Sequence, residues 1–153
     1  MLRSLTLLGA GLFLPGTAIA TDSVVLGKGL SNAFVSEISC PEDLICMDSV
    51  FIWELEAKRT VAGPGISGRV RATTTQHTEA TQQFVGSVKI FVLRPIEDSA
   101  LRASYGVDYE IVTLSPRYKG NRFCLLVDPK EIGLDVQSVQ NEHGFYCFSA
   151  RGL

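Results

Sequence analysis

Two histidines, one tryptophan and no Cys-x-x-Cys pair occur in the 153 residues of this chain, and each scarcity removes a class of chemistry. His77 stands among threonines and His143 precedes a glycine. His77 has no second His or Cys at ligand spacing and neither histidine sits in a recognisable motif, so no metal is expected, and no motif calls for a cofactor. Without Cys-x-x-Cys there is no dithiol redox signature. Basic residues do not cluster and the formal net charge is −2, a poor match to a phosphate backbone or an anionic membrane. Neither nucleic acid nor a stable membrane anchor is therefore expected as a partner. There is no Asn-x-Ser/Thr acceptor, internal repeat or low-complexity tract. The apolar run Leu5 to Leu14 falls short of the roughly 20 residues that cross a bilayer.

That run has a different reading. Arg3 precedes it, Pro15-Gly16 breaks it, and Ala18-Ile19-Ala20 supplies a small-x-small cleavage site, so residues 1–20 read as an export signal. No cysteine follows the site, which argues against a lipid anchor. The expected location is exported, in a bacterial periplasm or secreted. Cleavage after Ala20 leaves 133 residues starting at Thr21, with 13 basic and 16 acidic side chains. That length suits one domain with its own core. Residues 21–39 show no sustained period and are expected to form a mobile N-terminal segment, with at most a short strand at Phe34-Val35. Residues 40–153 are expected to form a single disulfide-stapled β domain.

The clearest pattern lies in Asp48 to Thr74. With period two, Phe51, Trp53, Leu55, Ala57 and Val61 fall on one face and Glu54, Glu56 and Lys58 on the other, as a half-buried strand requires. Ala62-Gly63-Pro64-Gly65 breaks the strand. Arg69 and Arg71 then alternate with Val70 and Ala72, so that two guanidiniums answer two carboxylates across a hairpin. Gln83 to Leu93 is apolar on both faces, which predicts a central or barrel-closing strand, with Gly86 at a bulge or tight bend. Asp98 caps a short helix from Ser99 to Tyr105 that stops at Gly106. Further strands are expected at Val107 to Leu114, Phe123 to Val127 and Phe145 to Ser149, with a turn over Ser115 to Asn121. Ile132 to Val139 is ambiguous.

The fold class expected is mainly β: a small five- to six-stranded OB-like barrel with one or two short helices. A β-sandwich or an open α+β sheet is the alternative.

Cys40, Cys46, Cys124 and Cys147 in an exported chain imply two disulfides, with three possible connectivities. Cys40–Cys46 with Cys124–Cys147 would join near neighbours. Cys40-Pro41-Glu42-Asp43 also reads as a helix start, and six residues along a regular helix separate Cα atoms by about 9 Å, beyond disulfide reach. A truly helical Pro41 to Ile45 would send both early cysteines to the late ones, so the pairing stays open.

The run Cys46 to Leu55 (CMDSVFIWEL), following a Cys-bearing short helix, and the later Ser104 to Val112 (SYGVDYEIV) resemble netrin-like domains. Those domains are OB-type barrels tied by cysteines and include the tissue inhibitors of metalloproteinases. The resemblance implies a fold. It does not carry the inhibitors' mechanism, in which the free amine of a first-residue cysteine grips the zinc. Here the expected first residue is Thr21, and Cys40 lies nineteen positions further on.

The function expected is a non-catalytic exported binding module that recognises a protein or peptide partner on a barrel face or an exposed edge. Arg117, Tyr118, Lys119 and Arg122, around the expected turn, are the candidate contact residues, since Arg and Tyr are favoured at hot spots. The plainer reading of that stretch is a solvated hairpin turn. A structural or assembly component of a cell envelope ranks second. A small hydrolase with no recognisable motif ranks third: His77, His143, Ser115, Glu54, Asp108 and Asp128 are available, but none forms a nucleophile, base and orienting set in sequence.

Overall fold

The computed structural model describes residues 21–37, 48–77, 85–118, 121–151 and 153. Five strands, β1 (Ser23–Glu37), β2 (Asp48–Ala62), β3 (Gly68–His77), β4 (Val88–Pro95) and β5 (Tyr109–Tyr118), run in the order β3-β2-β1-β4-β5. A parallel pairing of Ala72 and Thr73 with Tyr109 and Glu110 closes them into an OB-like barrel. All other barrel contacts are antiparallel. Helix α1 (Ser99–Tyr105) bridges β4 and β5, with Asp98 accepting from the N–H groups of Ala100 and Leu101 and Gly106 at its left-handed end.

The β2–β3 hairpin forms as its alternation requires. Phe51, Trp53, Leu55 and Ala57 point inward and are buried, and Glu54 and Glu56 sit outside, opposite Arg71 and Arg69. With Val25, Ala72, Phe91, Leu93 and Ile111 they fill the barrel. Val61, expected on that inward face, instead packs in a second apolar cluster outside the barrel.

That second cluster explains β4. Phe91 and Leu93 face the barrel interior, while Ile90 and Val92 face outward beside Val24 of β1. The outward side is covered by a small C-terminal sheet of β6 (Arg122–Leu125), β7 (Gln140–Glu142) and β8 (Phe145–Ser149), in the order β6-β8-β7. Phe123, Leu125 and Phe148 from that sheet, with Leu134 after a 3-10 turn at Pro129–Ile132, complete the layer. A strand buried on both sides has no wet face, so its run is apolar throughout.

The expectation for residues 21–39 is corrected: Ser23–Glu37 is the strand through which β2 and β4 are joined. The chain thus starts the barrel at Ser23 rather than after Cys40, and the strand expected to open it, β2, is its second. The reason is burial on both faces of β1, Val25 inside and Val24 outside, together with four register shifts along its pairing with β2. Both features erase a period-two signal. Gly27 belongs to the same geometry, because a Cβ there would stand 2.8 Å from the Glu56 carbonyl oxygen.

The turn expected at Ser115 to Asn121 is also shorter than expected. β5 continues to Tyr118, because past Pro116 it leaves β4 and pairs with β6 through Arg117↔Phe123 and Tyr118↔Arg122.

At the closed end, Gly63 lies at φ 79° and a Cβ on it would stand 2.2 Å from the Asp22 carbonyl oxygen. Ser23 Oγ donates to the Pro64 carbonyl at 2.8 Å, and Thr60 Oγ1 both accepts from the Ile66 N–H and donates to the Ile66 carbonyl, at 2.8 and 3.0 Å. Arg94 grips the Asp22 carboxylate through two nitrogens at 2.9 and 3.0 Å. Gly63→Ala is expected to cost about 1–3 kcal/mol from its backbone conformation alone, before the clash is counted. Gly65→Ala, where nothing lies within 4 Å, is the control that leaves the urea midpoint in place.

Candidate functional site

β1 is longer than the strand beside it. β4 pairs with β1 over Ser23–Lys28, whereas Ser31–Glu37 pairs with β2 alone among the described residues. One row of main-chain N–H and C=O groups along that outer half therefore has no described strand across from it. Register shifts at Gly29/Ser31 and Phe34/Ser36 bracket a regular run, Ser31 to Phe34. Phe34 is 55% exposed and stands edge-to-face on Phe51, with ring centroids 5.9 Å apart. Asn32 lies directly opposite Trp53 in the register. Both polar atoms of the Asn32 side-chain amide and the Trp53 indole nitrogen are buried without a hydrogen-bond partner among the described residues. Unpaired buried polar atoms are uncommon in folded proteins.

The start of β4 lies where this edge opens. Gly86, in a turn at φ 87°, donates its N–H to the Gly29 carbonyl at 2.9 Å. Ser87 follows, exposed, and Lys89 two residues on is fully buried. Lys89 shares the inward face of β4 with Phe91 and Leu93, between Gly27 of β1 and Pro116 of β5 in the register. Its Nζ donates to Ser87 Oγ. Burial pushes the amine down from the ordinary 10.5 to about 8, because desolvation disfavours the ammonium.

The residues singled out in the sequence are placed as follows. Cys124 and Cys147 form a disulfide between opposed positions of β6 and β8, with Cα atoms 4.0 Å apart. Cys40 and Cys46 lie outside the described residues, as does Lys119. Arg117 is exposed at the end of β5, next to Tyr118. Arg122 is turned towards β7, where it ion-pairs with Glu142 and reaches Gln140 Oε1 at 3.4 Å.

The candidate acids and histidines do not converge. Glu54 and Glu56 are exposed on the wet face of β2. Asp108 pairs with Arg102 at 2.8 Å, and Asp128 caps the 3-10 turn by accepting from Lys130 N–H at 2.9 Å. Ser115 is buried on the outward face and its Oγ accepts from Cys124 N–H at 2.9 Å. His143 occupies the β7–β8 turn at φ 53°, and His77 ends β3.

The groups that do come together, Asn32 with Phe34 and Ser87 with Lys89, were not picked out by sequence reasoning. A signal for the second pair is present: Lys89 is a charged residue on the same face as Phe91 and Leu93. The edge has no such signal, since it arises from the unequal lengths of β1 and β4.

Among the described residues no helix is long and apolar enough to cross a membrane, and no cluster of three or more His, Cys, Asp or Glu side chains is placed to hold a metal ion. In comparisons with family models, curated proteins and solved structures, the chain matches none.

Proposed function

We propose that this chain is an exported binding module that takes an extended protein or peptide segment along the outer half of β1. The observation that supports it is the row of main-chain groups over Ser31–Glu37 with no described strand across from it. Exposed edges are ordinarily guarded by charge, proline or cover. The seven residues Ser31 to Glu37 carry a single charge, at Glu37. Strand addition at such an edge supplies main-chain hydrogen bonds for affinity, and alternate side chains set preference. Phe34, 55% exposed, offers an apolar anchor. The netrin-like resemblance fits this reading as a barrel used for recognition. The metal-gripping amine of the metalloproteinase inhibitors has no place in it.

Selection of a random peptide library against the oxidised protein tests the proposal. Selected peptides are expected to lose affinity by about tenfold or more on Phe34→Ser, the size of loss of an interface anchor. They should also protect the amides of residues 31–37 from exchange. Peptides indifferent to Phe34→Ser but weakened by Arg117→Ala would place recognition on the β5–β6 hairpin instead and overturn the edge assignment.

A further inference from the structure

We propose that Ser87 and Lys89 form an acyl-transfer centre, with Ser87 Oγ as nucleophile and Lys89 Nζ as its general base, acting on a carboxylic ester or amide. The inference goes beyond the binding module and does not rest on it. Of the classes weighed from sequence, it corresponds to the small hydrolase.

Ser87 lies in the turn just before β4 and Lys89 is the second residue of that strand, and the lysine amine reaches back to donate directly to the serine hydroxyl. Nucleophile and base are therefore already within hydrogen-bond reach, the geometric requirement for activating a serine. Their exposures differ as the two roles demand. Ser87 is exposed, in the turn that precedes β4, where a substrate carbonyl can approach it. Lys89 is buried within the barrel.

A lysine in water stays protonated at neutral pH and cannot accept a proton. Burial brings this amine to about 8, within the range in which lysine acts as a base. Serine–lysine pairs are an accepted variant of the serine–histidine arrangement.

Among the described residues, the charged side chains on the strands around Lys89 follow the pleat. Lys28 on β1 and Arg117 on β5 adjoin Gly27 and Pro116, the register partners of Lys89, and so fall on the opposite faces of their strands. On β2 and β3 the inward positions are Phe51, Trp53, Leu55, Ala57, Val70, Ala72 and Thr74, while Glu54, Glu56, Lys58, Arg69 and Arg71 alternate outward. Desolvation by burial lowers the Lys89 amine.

In the reaction, Ser87 Oγ adds to the carbonyl carbon as its proton passes to neutral Lys89. The tetrahedral adduct collapses, the bond to the leaving oxygen or nitrogen breaks, and the Lys89 ammonium returns the proton to that leaving group. Water then adds to the Ser87 ester with Lys89 again accepting a proton. Collapse releases the carboxylic acid and returns the proton to Ser87 Oγ. Atoms and charge balance with water as the only co-reactant.

The test uses the full chain, exported and purified in oxidised form, with an alkyl fluorophosphonate as probe. The Ser87 oxygen displaces fluoride from phosphorus and the adduct is located by peptide mass mapping. The expected result is one adduct, on Ser87, absent in Ser87→Ala and slowed on the order of 100-fold in Lys89→Met. Because the neutral amine is the active form, the wild-type rate should rise with pH and level off above about 8. This profile needs no variant and keeps the test decisive should Lys89→Met fail to fold. Labelling of Ser87 no faster than of exposed Ser99, or a Ser87 rate that is flat from pH 6 to about 9, would overturn the proposal. The binding reading would be untouched by that failure, because the peptide selection reports on Phe34.

Discussion

Replacing Trp53 with alanine is expected to lower the stability of this protein by about 3–5 kcal/mol, the range for emptying an aromatic site in a packed core. Trp53 has no exposed surface, opposes Asn32 on one side and Ala72 on the other, and meets Phe91 edge-to-face with centroids 6.2 Å apart. Strands from both sides of the barrel therefore lose packing together. Urea unfolding followed by far-UV circular dichroism measures the loss, since the substitution removes the sole tryptophan. Trp53→Phe should cost much less than the difference in volume implies. The indole N–H is buried without a partner among the described residues, so its removal relieves a penalty of about 1–3 kcal/mol. Equal losses for the two variants would contradict the placement of that nitrogen.

The disulfide produces a second large effect, in a different place. Cys124→Ala with Cys147→Ala opens a bridge between residues 23 apart and is expected to cost about 3 kcal/mol. The loss should fall on the C-terminal layer before the barrel. β6 and β8 hold to each other through four register pairs and the bridge, and β6 meets β5 through two. Strands β1 and β2 share a far longer ladder. Limited proteolysis of the variant should therefore cut first within 121–151, with the 48–77 hairpin intact. First cuts inside the hairpin would show that the layer and barrel unfold as one unit.

How much of this could be read in advance depended on which faces were wet. The β2–β3 hairpin has one buried and one solvated face, so Trp53 against Glu54 and Arg69 against Val70 reveal strand, register and charge pairing together. β4 is dry on both sides, and its unbroken apolar run announces a central strand. α1 is marked by its two ends, Asp98 and Gly106.

β1 hides itself for physical reasons: Val24 and Val25 are buried on opposite sides, and glycines and bulges let it coil around the barrel. The class of barrel was legible from the order of elements, although each strand counted in that order stood one place too early. Pro116 misled because proline ordinarily ends a central strand, whereas here it marks the change of neighbour from β4 to β6. The candidate site was the least legible part. An edge with no described strand across from it is defined by where the neighbouring strand stops, and the serine–lysine contact depends on which face of β4 carries Lys89 inward.

Residue-resolved amide hydrogen exchange of the oxidised protein, free and with a library-selected peptide, tests the central claim most directly. In the free protein the amides of Val24 to Leu26, flanked by β2 and β4, are expected to exchange slowly. Those over Ser31 to Phe34 should alternate between slow amides bonded to β2 and fast ones at the open edge. Peptide binding should slow the fast set and leave β5–β6 unchanged. Uniformly fast exchange from residue 21 to 37, or protection confined to Arg117 and Arg122, would contradict an N-terminal strand that is both a barrel member and a docking edge.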